Sequence, residues 1–316
     1  MPLIEPRRFA SVIALTFFVD SPRAGAAAVL VLAIAAPHLA LSGIAVAIAA
    51  RLVARRIGAS QALLASGLVE LNGWFLGLAC ATFFSLGPGL LFAIVAAGPL
   101  VAVMTVVSGR VLATWDVPIL VGPYVPAFWL LWNGLGVFPW SAPAQLPSPP
   151  MPELPAVAAM VVAGLRGVGQ IFFCPDALVG LGLALAASLA DRRLGPLMVA
   201  SSVCSVAIGQ LAGAPAWQVQ QGLAGFTPAM VAAAALCGFV GLGRTAVLVS
   251  IVAAPFLEAA ALRIGGAVGL PALSLTYVGL VWLFALLRPV RDASAARGAW
   301  SSGPGAPRAR TRLFED

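Results

Sequence analysis

Two stretches of membrane-depth sequence carry polar side chains where an apolar helix would have none. Residues 66–84 are apolar apart from a few side chains, chiefly Glu70 and Asn72. Residues 221–239 repeat the opening of this stretch, with Thr227 in place of Asn72 at a spacing of 155 residues (227 − 72). Polar groups in hydrocarbon are costly unless they face protein or a water-filled path. A duplicated polar interruption therefore predicts a route for a small solute.

The residues that enzymes use for acid–base or metal chemistry are few and scattered. His38 is the only histidine, and the carboxylates form no cluster with it. A membrane-embedded enzyme is therefore the less favoured alternative, and we expect no cofactor and no metal. Glu70 and Glu258 leave open a proton-coupled transporter of another small solute. Glu70 could tune the field in the pore or bind a proton, and a structural role, as a carboxyl at a helix mouth or one protonated within the bundle, is an equally favoured interpretation.

The composition places any such route inside a lipid bilayer. Hydrophobic residues make up 61% of the 316 residues, charged residues make up 9%, and the mean hydropathy is +1.02. A soluble domain usually has about a quarter of its residues charged. The length accommodates on the order of ten helical spans of about 20 residues each. The sequence therefore predicts an all-α polytopic membrane protein.

The net charge of +7 indicates topology and not a nucleic-acid partner. All the basic residues are arginine, and no basic surface interleaved with aromatic residues accompanies them. They gather at the ends and in predicted loops: Arg7, Arg8, Arg51, Arg55, Arg56, Arg192, Arg193 and a tail from Arg288 to Arg312. Under the positive-inside rule, both termini are expected to be cytoplasmic in a multi-pass protein of the inner (plasma) membrane, with an even number of crossings.

Apolar segments and a Pro-rich stretch divide the chain into two halves. The first-half segments lie near residues 9–19, 24–36, 38–50, 61–85, 88–108 and 119–138. The first three are too short to cross a hydrocarbon core of about 30 Å, so we expect half-spans or segments joined across a break. We predict a first membrane repeat over 1–138, a linker over 139–155, a second repeat over 156–288 and an Arg-rich cytoplasmic tail over 289–316.

The second half repeats the first in nearly one register. Phe17-Phe18 matches Phe172-Phe173 and Gly25 matches Gly180, both at 155 residues (172 − 17 and 180 − 25). Later, Pro118 matches Pro271 and Tyr124 matches Tyr277 at 153 residues (271 − 118 and 277 − 124). Two repeats with an odd number of crossings each, for instance five plus five, would be inverted and would meet around a pseudo-two-fold axis.

These repeated blocks resemble the urea transporter family over roughly residues 8–288. The matching motifs are Phe18-Val-Asp-Ser-Pro-Arg-Ala-Gly25, Gly67-Leu-Val-Glu-Leu-Asn72, Trp115 to Tyr124, Gly167-Val-Gly-Gln-Ile-Phe172, Gly222-Leu-Ala-Gly-Phe-Thr227 and Gly269 to Tyr277. The resemblance implies two inverted halves, each with about five membrane helices and a half-spanning pore helix. It also implies a narrow pore in each protomer and a homo-oligomer, often a trimer.

In that family the pore is a flat slot for urea, and its residues can be carried over position by position. The resemblance implies that Gln170 is a polar ligand at one end. The other implied slot residues are Phe18 and Phe173 as aromatic walls, Phe75 and Met230 at wall positions, and Ser274 at the place of a central threonine. Asn72 keeps the asparagine of its motif. Gln170 as glue between helices, and the phenylalanines as ordinary packing, are the competing interpretations.

Four positions depart from the family pattern. Leu15 lies where a first-half glutamine is expected, Val121 where a threonine is expected, and Thr227 where a second-half asparagine is expected. Glu70 replaces a glycine. The first-half side of the slot is thus more apolar than in the family. The resemblance as a whole implies channel-like facilitated transport of urea or a similar small neutral amide.

Three aspartates beside proline or turn residues, Asp20, Asp116 and Asp176, are predicted to cap helices and not to bind a ligand.

Overall fold

A computed structural model describes residues 5–136 and 155–287, which form α-helices and short 3-10 turns without a strand. The first-half helices are α1 (Pro6–Ala14), α2 (Pro22–Ala35), α3 (Pro37–Arg56), α4 (Gln61–Ser66), α5 (Leu68–Phe83), α6 (Pro88–Ala113) and α7 (Tyr124–Leu135). The second-half helices are α8 (Ala156–Gly169), α9 (Ala177–Ser188), α10 (Leu194–Leu211), α11 (Ala216–Gln220), α12 (Phe226–Leu236), α13 (Arg244–Val268) and α14 (Leu275–Leu287). The predicted linker, apart from Pro155, and the predicted tail lie outside the described residues.

Several of the described helices are long and apolar enough to cross a bilayer. Four helices meet both criteria by themselves, namely α3, α6, α10 and α13, with 20, 26, 18 and 25 residues. Two further apolar spans are bent at a break, by 85° between α1 and α2 and by 71° between α8 and α9. The predicted all-α polytopic membrane protein is confirmed. The bent pairs also confirm that short first segments are joined across a break.

The third predicted segment was wrong in length. It was expected to end near residue 50, before a group of arginines in a loop, but α3 continues to Arg56. Arg51 is buried inside this helix, with 4% of its surface exposed. A charged residue does not end the helix here because a carboxylate on α5 pairs with it, as described below.

Matching backbone features recur in the two halves. Three equivalent pairs have positive φ angles: Phe18 and Phe173 (59° and 57°), Gly67 and Gly222 (77° and 68°), and Leu120 and Leu273 (52° and 52°). Such angles are uncommon for residues other than glycine, so their recurrence is not expected by chance. The repeat seen in the sequence is therefore a repeat of backbone conformation.

The bent helix pairs are held together at two equivalent glycines. A Cβ atom added to Gly25 on α2 would overlap the Ala10 carbonyl of α1, and one added to Gly180 on α9 would overlap the Leu165 carbonyl of α8. Small residues let helix backbones approach this closely in membranes. These contacts set the sharp bend of each pair.

The two short helices α5 and α12 form the centre of the described structure. Every residue from Leu68 to Ala81 in α5 is buried, as is every residue from Phe226 to Ala235 in α12. At 1.5 Å per residue, α5 is about 24 Å long, less than the hydrocarbon core of about 30 Å. Glu70, Asn72 and Thr227 thus lie inside the bundle.

The halves contact each other through exchanged, equivalent interactions. The indole of Trp129 on α7 donates to the Pro271 carbonyl at 2.8 Å, and the indole of Trp282 on α14 donates to the Pro118 carbonyl at 2.9 Å. Both members of each pair are related by the 153-residue spacing (282 − 129 and 271 − 118). Contacts that exchange in this way are those expected of two halves related by a pseudo-two-fold axis.

The predicted aspartate caps have mixed outcomes. Asp176 is confirmed as the N-cap of α9, where its carboxylate accepts from Leu178 N at 2.8 Å and Val179 N at 3.1 Å. The prediction for Asp20 was wrong, because the neighbouring Ser21 caps α2 by accepting a hydrogen bond from Ala24 N. Asp116 was also wrong as a helix cap, since it lies in the turn after α6 with a φ of 54°.

Candidate solute pathway

Asn72, a polar residue of the central helix α5, fastens a loop. Its Nδ2 donates to the Leu68 and Leu120 carbonyls at 2.9 Å each, and its Oδ1 accepts from Tyr124 N at 3.1 Å. The side chain is fully buried. Asn72 therefore holds the loop between α6 and α7, which carries Val121, and both of its amide protons are occupied by protein.

Two buried hydroxyls on the second-half side have no hydrogen-bond partner among the described residues. They belong to Thr227 on α12 and to Ser274 in the loop before α14. The repeat places them at the positions of Asn72 and Val121. Each hydroxyl oxygen can accept two hydrogen bonds. These groups have acceptor capacity for an amide NH₂ that reaches them.

The predicted wall residues Phe75 and Phe173 lie in one aromatic cluster around Tyr124. The Phe75 ring stacks on Tyr124 with centroids 5.6 Å apart and planes 24° apart. Phe173 lies edge-on to Tyr124 at 6.3 Å. The Tyr124 hydroxyl accepts a hydrogen bond from Ser274 N at 3.2 Å. Three of the predicted site residues are thus joined by a tyrosine that was not predicted to belong to the site.

Phe18, the first-half equivalent of Phe173, makes an aromatic contact equivalent to one that Phe173 makes. It contacts Phe239 at a centroid distance of 4.7 Å, just as Phe173 contacts Phe83 at 6.4 Å. Phe18 and Phe173 are half-buried, whereas their neighbours Phe17 and Phe172 are fully buried and contact each other at 6.3 Å. One phenylalanine of each adjacent pair is therefore buried against its equivalent in the other half, and the other stays partly accessible.

The remaining predicted positions differ in polarity between the halves. Leu15 and Gln170 each begin a 3-10 turn at the bend of their helix pair, and both are half-buried. Gln170 Nε2 donates to the Gln221 carbonyl at 3.2 Å, and this hydrogen bond orients the side-chain amide. Its oxygen is an acceptor that Leu15 lacks. Val121 (6% exposed) is buried in the first half, and Met230 (4%) in the second.

Glu70, which departs from the family pattern, forms a buried ion pair at the start of α5. Its carboxylate, 1% exposed, pairs with Arg51, which is 5% exposed, and lies 4.0 Å from Arg8. Arg8 also donates to the Leu64 carbonyl at 2.6 Å. A negative charge in the first turn of a helix interacts favourably with the helix dipole. Glu70 therefore lies at a helix mouth, one of the interpretations left open by the sequence, and it pairs with cations.

One small recess is lined by residues that do not belong to the predicted slot. Its lining residues, on the second-half side, are Val206, Gly209, Ala214, Gln218, Val219, Ala224, Pro255 and Glu258. Thr276 donates to the Glu258 carboxylate at 2.5 Å. The described residues also contain no group of three His, Cys, Asp or Glu side chains suited to a metal ion.

The sequence signal missed three residues that organise the site. In the sequence, Tyr124 marks only the repeat, and neither Trp129 nor Trp282 belongs to a predicted motif. The two tryptophans fall on the same 153-residue spacing as Pro118 and Pro271, so this spacing was the available signal. Arg51 also had a signal, because ionisable residues in membrane helices commonly pair with one another.

Comparison with known proteins agrees with the resemblance seen in the motifs. The family model described as urea transporter matches residues 9–289. The chain is 26% identical over 287 residues to urea transporter 1 of Ovis aries, covering 85% of this chain and 73% of that protein. Urea transporter 1 of Mus musculus matches to the same extent, and that of Rattus norvegicus is 25% identical. The chain belongs to the urea transporter family.

Proposed function

We propose that this protein carries urea, or a similar small neutral amide, across the membrane by facilitated diffusion through a narrow pore in each protomer. The observation that carries the proposal is the match of the urea transporter family model over residues 9–289. The relatives named urea transporter 1 support the same solute. The family is one of transporters and not of enzymes.

Urea sets clear chemical demands on a pore. It is planar, with two NH₂ groups that need acceptors in place of water, and it carries no charge. Flat apolar walls orient such a molecule, while a row of oxygens receives its NH₂ groups. We propose that the walls are formed by the partly accessible Phe18 and Phe173, together with Phe75 and Met230.

The acceptors in this proposal come mainly from the second half. Gln170 offers its amide oxygen, and Ser274 and Thr227 offer hydroxyl oxygens that have no partner among the described residues. Leu15 and Val121 offer no acceptor on the first-half side. Backbone carbonyls would complete the row there. We assign Asn72 a supporting role, because its amide fastens the loop that carries Val121.

Proton coupling through Glu70 finds no support. The carboxylate is buried against Arg51 and lies 4.0 Å from Arg8, so arginines within the protein compensate its charge. We therefore propose transport down the urea gradient only. A pH gradient imposed on proteoliposomes should drive no uphill urea uptake, and such uptake would contradict this proposal.

The arrangement in the membrane is part of the same proposal. We propose inverted halves over 1–138 and 156–288 joined by the linker 139–155, with both termini and the 289–316 tail cytoplasmic in the inner (plasma) membrane. The arginines at both ends support this orientation. The family resemblance supports a homo-oligomer, with a trimer favoured. Chemical cross-linking in native membranes tests the oligomer, and a purely monomeric pattern would contradict it.

Stopped-flow light scattering of proteoliposomes tests the solute. Vesicles containing the purified protein should equilibrate urea much faster than protein-free vesicles. The two preparations are compared at matched water permeability, so that a difference in light scattering reports urea movement. Equal urea rates in the two preparations would overturn the urea assignment.

The ligand role of Gln170 is tested by Gln170→Ala. Loss of one acceptor should lower urea flux by about two- to tenfold, since a net hydrogen bond contributes about 0.5–1.5 kcal/mol. Gln210→Ala, at an exposed position on α10, is the matched control and should leave flux unchanged. Unchanged flux in Gln170→Ala would leave Gln170 only a packing role.

A further inference from the structure

The loops that precede α7 and α14 have the same unusual backbone. Leu120 in the first loop and Leu273 in the second both have a φ of 52°. A branched side chain in this left-handed region is strained by roughly 1–2 kcal/mol. Strained residues persist only where the surroundings hold them. The residue that follows each leucine, Val121 or Ser274, belongs to the proposed slot, so whatever holds the loop also sets the position of a slot residue.

The first loop is held from within its own half. Asn72 donates to the carbonyl of Leu120 and accepts from the backbone of Tyr124, so one side chain grips both ends of the turn. Trp282 of the other half adds a hydrogen bond to the Pro118 carbonyl at 2.9 Å. This loop therefore has a fastening inside its own repeat and a second one across the interface.

The second loop has no equivalent of the asparagine fastening. Thr227 occupies the equivalent position on α12, and its hydroxyl makes no hydrogen bond to the described residues. The second loop is held from the first half instead. Ser274 N donates to the Tyr124 hydroxyl at 3.2 Å, and the Pro271 carbonyl accepts from the Trp129 indole at 2.8 Å.

We propose that Tyr124 and Trp129 are positioning residues that hold the Ser274 loop from the opposite repeat. They take the place of the asparagine fastening, which the second half lacks because Thr227 lies at the position equivalent to Asn72. This inference rests on the proposed function, because it assumes that Ser274 faces the solute. Tyr124 is itself fixed by stacking on Phe75, so the position of Ser274 follows the wall of the first half. The two halves of the slot are thus coupled through one tyrosine hydroxyl.

Tyr124→Phe tests the coupling with little other change, since it removes the hydroxyl and keeps the ring contacts with Phe75 and Phe173. Tyr277→Phe is the matched control. Tyr277 occupies the equivalent position in the second half and is also buried, at 2% exposed. Both variants delete one buried oxygen from equivalent tyrosines, and only the first deletes a bond to the Ser274 backbone.

Hydrogen–deuterium exchange of the segment 270–276 gives a readout that does not depend on transport. Tyr124→Phe should speed exchange of this segment by about two- to tenfold, as expected for loss of one hydrogen bond. Tyr277→Phe should exchange like the wild type. Equal exchange in wild type and Tyr124→Phe would overturn the positioning role. Because this readout requires no urea flux, it judges the tyrosine even if the wild type fails to carry urea.

Urea flux in proteoliposomes supplies the second readout, measured alongside N-methylurea. Tyr124→Phe should lower urea flux by about two- to tenfold and change the ratio of urea to N-methylurea flux, because a loosened Ser274 alters the shape of the slot. A lower flux for both solutes with the ratio unchanged, or faster exchange with unchanged flux, would overturn the proposal.

The tryptophans provide an independent comparison. Trp129→Phe should lower urea flux more than Trp282→Phe. When Trp282 is changed, Asn72 still holds the first loop by two hydrogen bonds, whereas only the Tyr124 hydroxyl still holds the second loop when Trp129 is changed. Equal losses in the two variants would contradict the division of fastening between the halves.

Discussion

Replacing Glu70 with glutamine is predicted to destabilise the protein strongly, because it leaves Arg51 buried without a counter-ion. The two side chains are 1% and 5% exposed and pair directly. Breaking a buried ion pair by removing one partner costs about 3–5 kcal/mol. At about 2 °C per kcal/mol for a chain of this size, the apparent unfolding temperature should fall by roughly 6–10 °C.

Thermal unfolding followed by tryptophan fluorescence measures this shift, with a fixed scan rate because unfolding of a membrane protein is governed by kinetics. Glu258→Gln is the matched control. Glu258 is also buried, at 5% exposed, but its described partner is the Thr276 hydroxyl and not a cation. Glutamine can keep that hydrogen bond, so the control should shift the unfolding temperature by less than about 3 °C.

A double variant decides whether the loss comes from the pair. Arg51→Met combined with Glu70→Gln removes both charges and should be less destabilised than Glu70→Gln alone, since the uncompensated buried cation is gone. Arg8 remains with its side chain 38% exposed and its bond to the Leu64 carbonyl. Unfolding of Glu70→Gln within about 2 °C of wild type, or losses that simply add in the double variant, would refute the reasoning.

Two further predictions follow from the central helices and the bent pairs. Asn72→Ala should lower stability by about 2–4 kcal/mol because it strands a buried carbonyl and a buried amide, whereas Thr227→Ala should cost less, since its hydroxyl is unpartnered. Thermal unfolding compares the two, and equal losses would contradict the fastening role. Gly25→Ala and Gly180→Ala should each abolish folded expression, because the added Cβ would overlap a backbone carbonyl. Gly266→Ala is the control and should express normally, since a Cβ there meets open space. Fluorescence size-exclusion profiles measure folded expression, and normal profiles for all three variants would contradict the close helix packing.

The repeat and the fold class were accessible from the sequence because they depend on local patterns. The 155-residue spacing anticipated the matched turns at Phe18 and Phe173, which share a left-handed backbone. The structure refines the later change to 153 residues. The prolines inside α6 and α13, Pro99 and Pro255, are 156 residues apart. The spacing between equivalent residues therefore rises from 155 to 156 before this proline and falls to 153 after it.

The contacts that hold the slot were not accessible in the same way, because they join residues far apart in the chain. Trp129 lies 142 residues from Pro271, and Arg51 lies 19 residues from Glu70 on a different helix. Arginines near residue 50 were expected in a loop on the rule that charge ends a membrane helix. The rule failed because a buried carboxylate compensates Arg51. The assignment of Gln170 and of the wall residues depends on a resemblance, and it stays a prediction until flux is measured.

The most direct test of the central claim is the urea permeability of proteoliposomes containing the wild-type protein, measured by stopped-flow light scattering without any pH gradient. We predict rapid, gradient-driven urea entry that protein-free vesicles lack and that Gln170→Ala reduces. Urea entry no faster than in protein-free vesicles would contradict the assignment of this protein as a urea pathway.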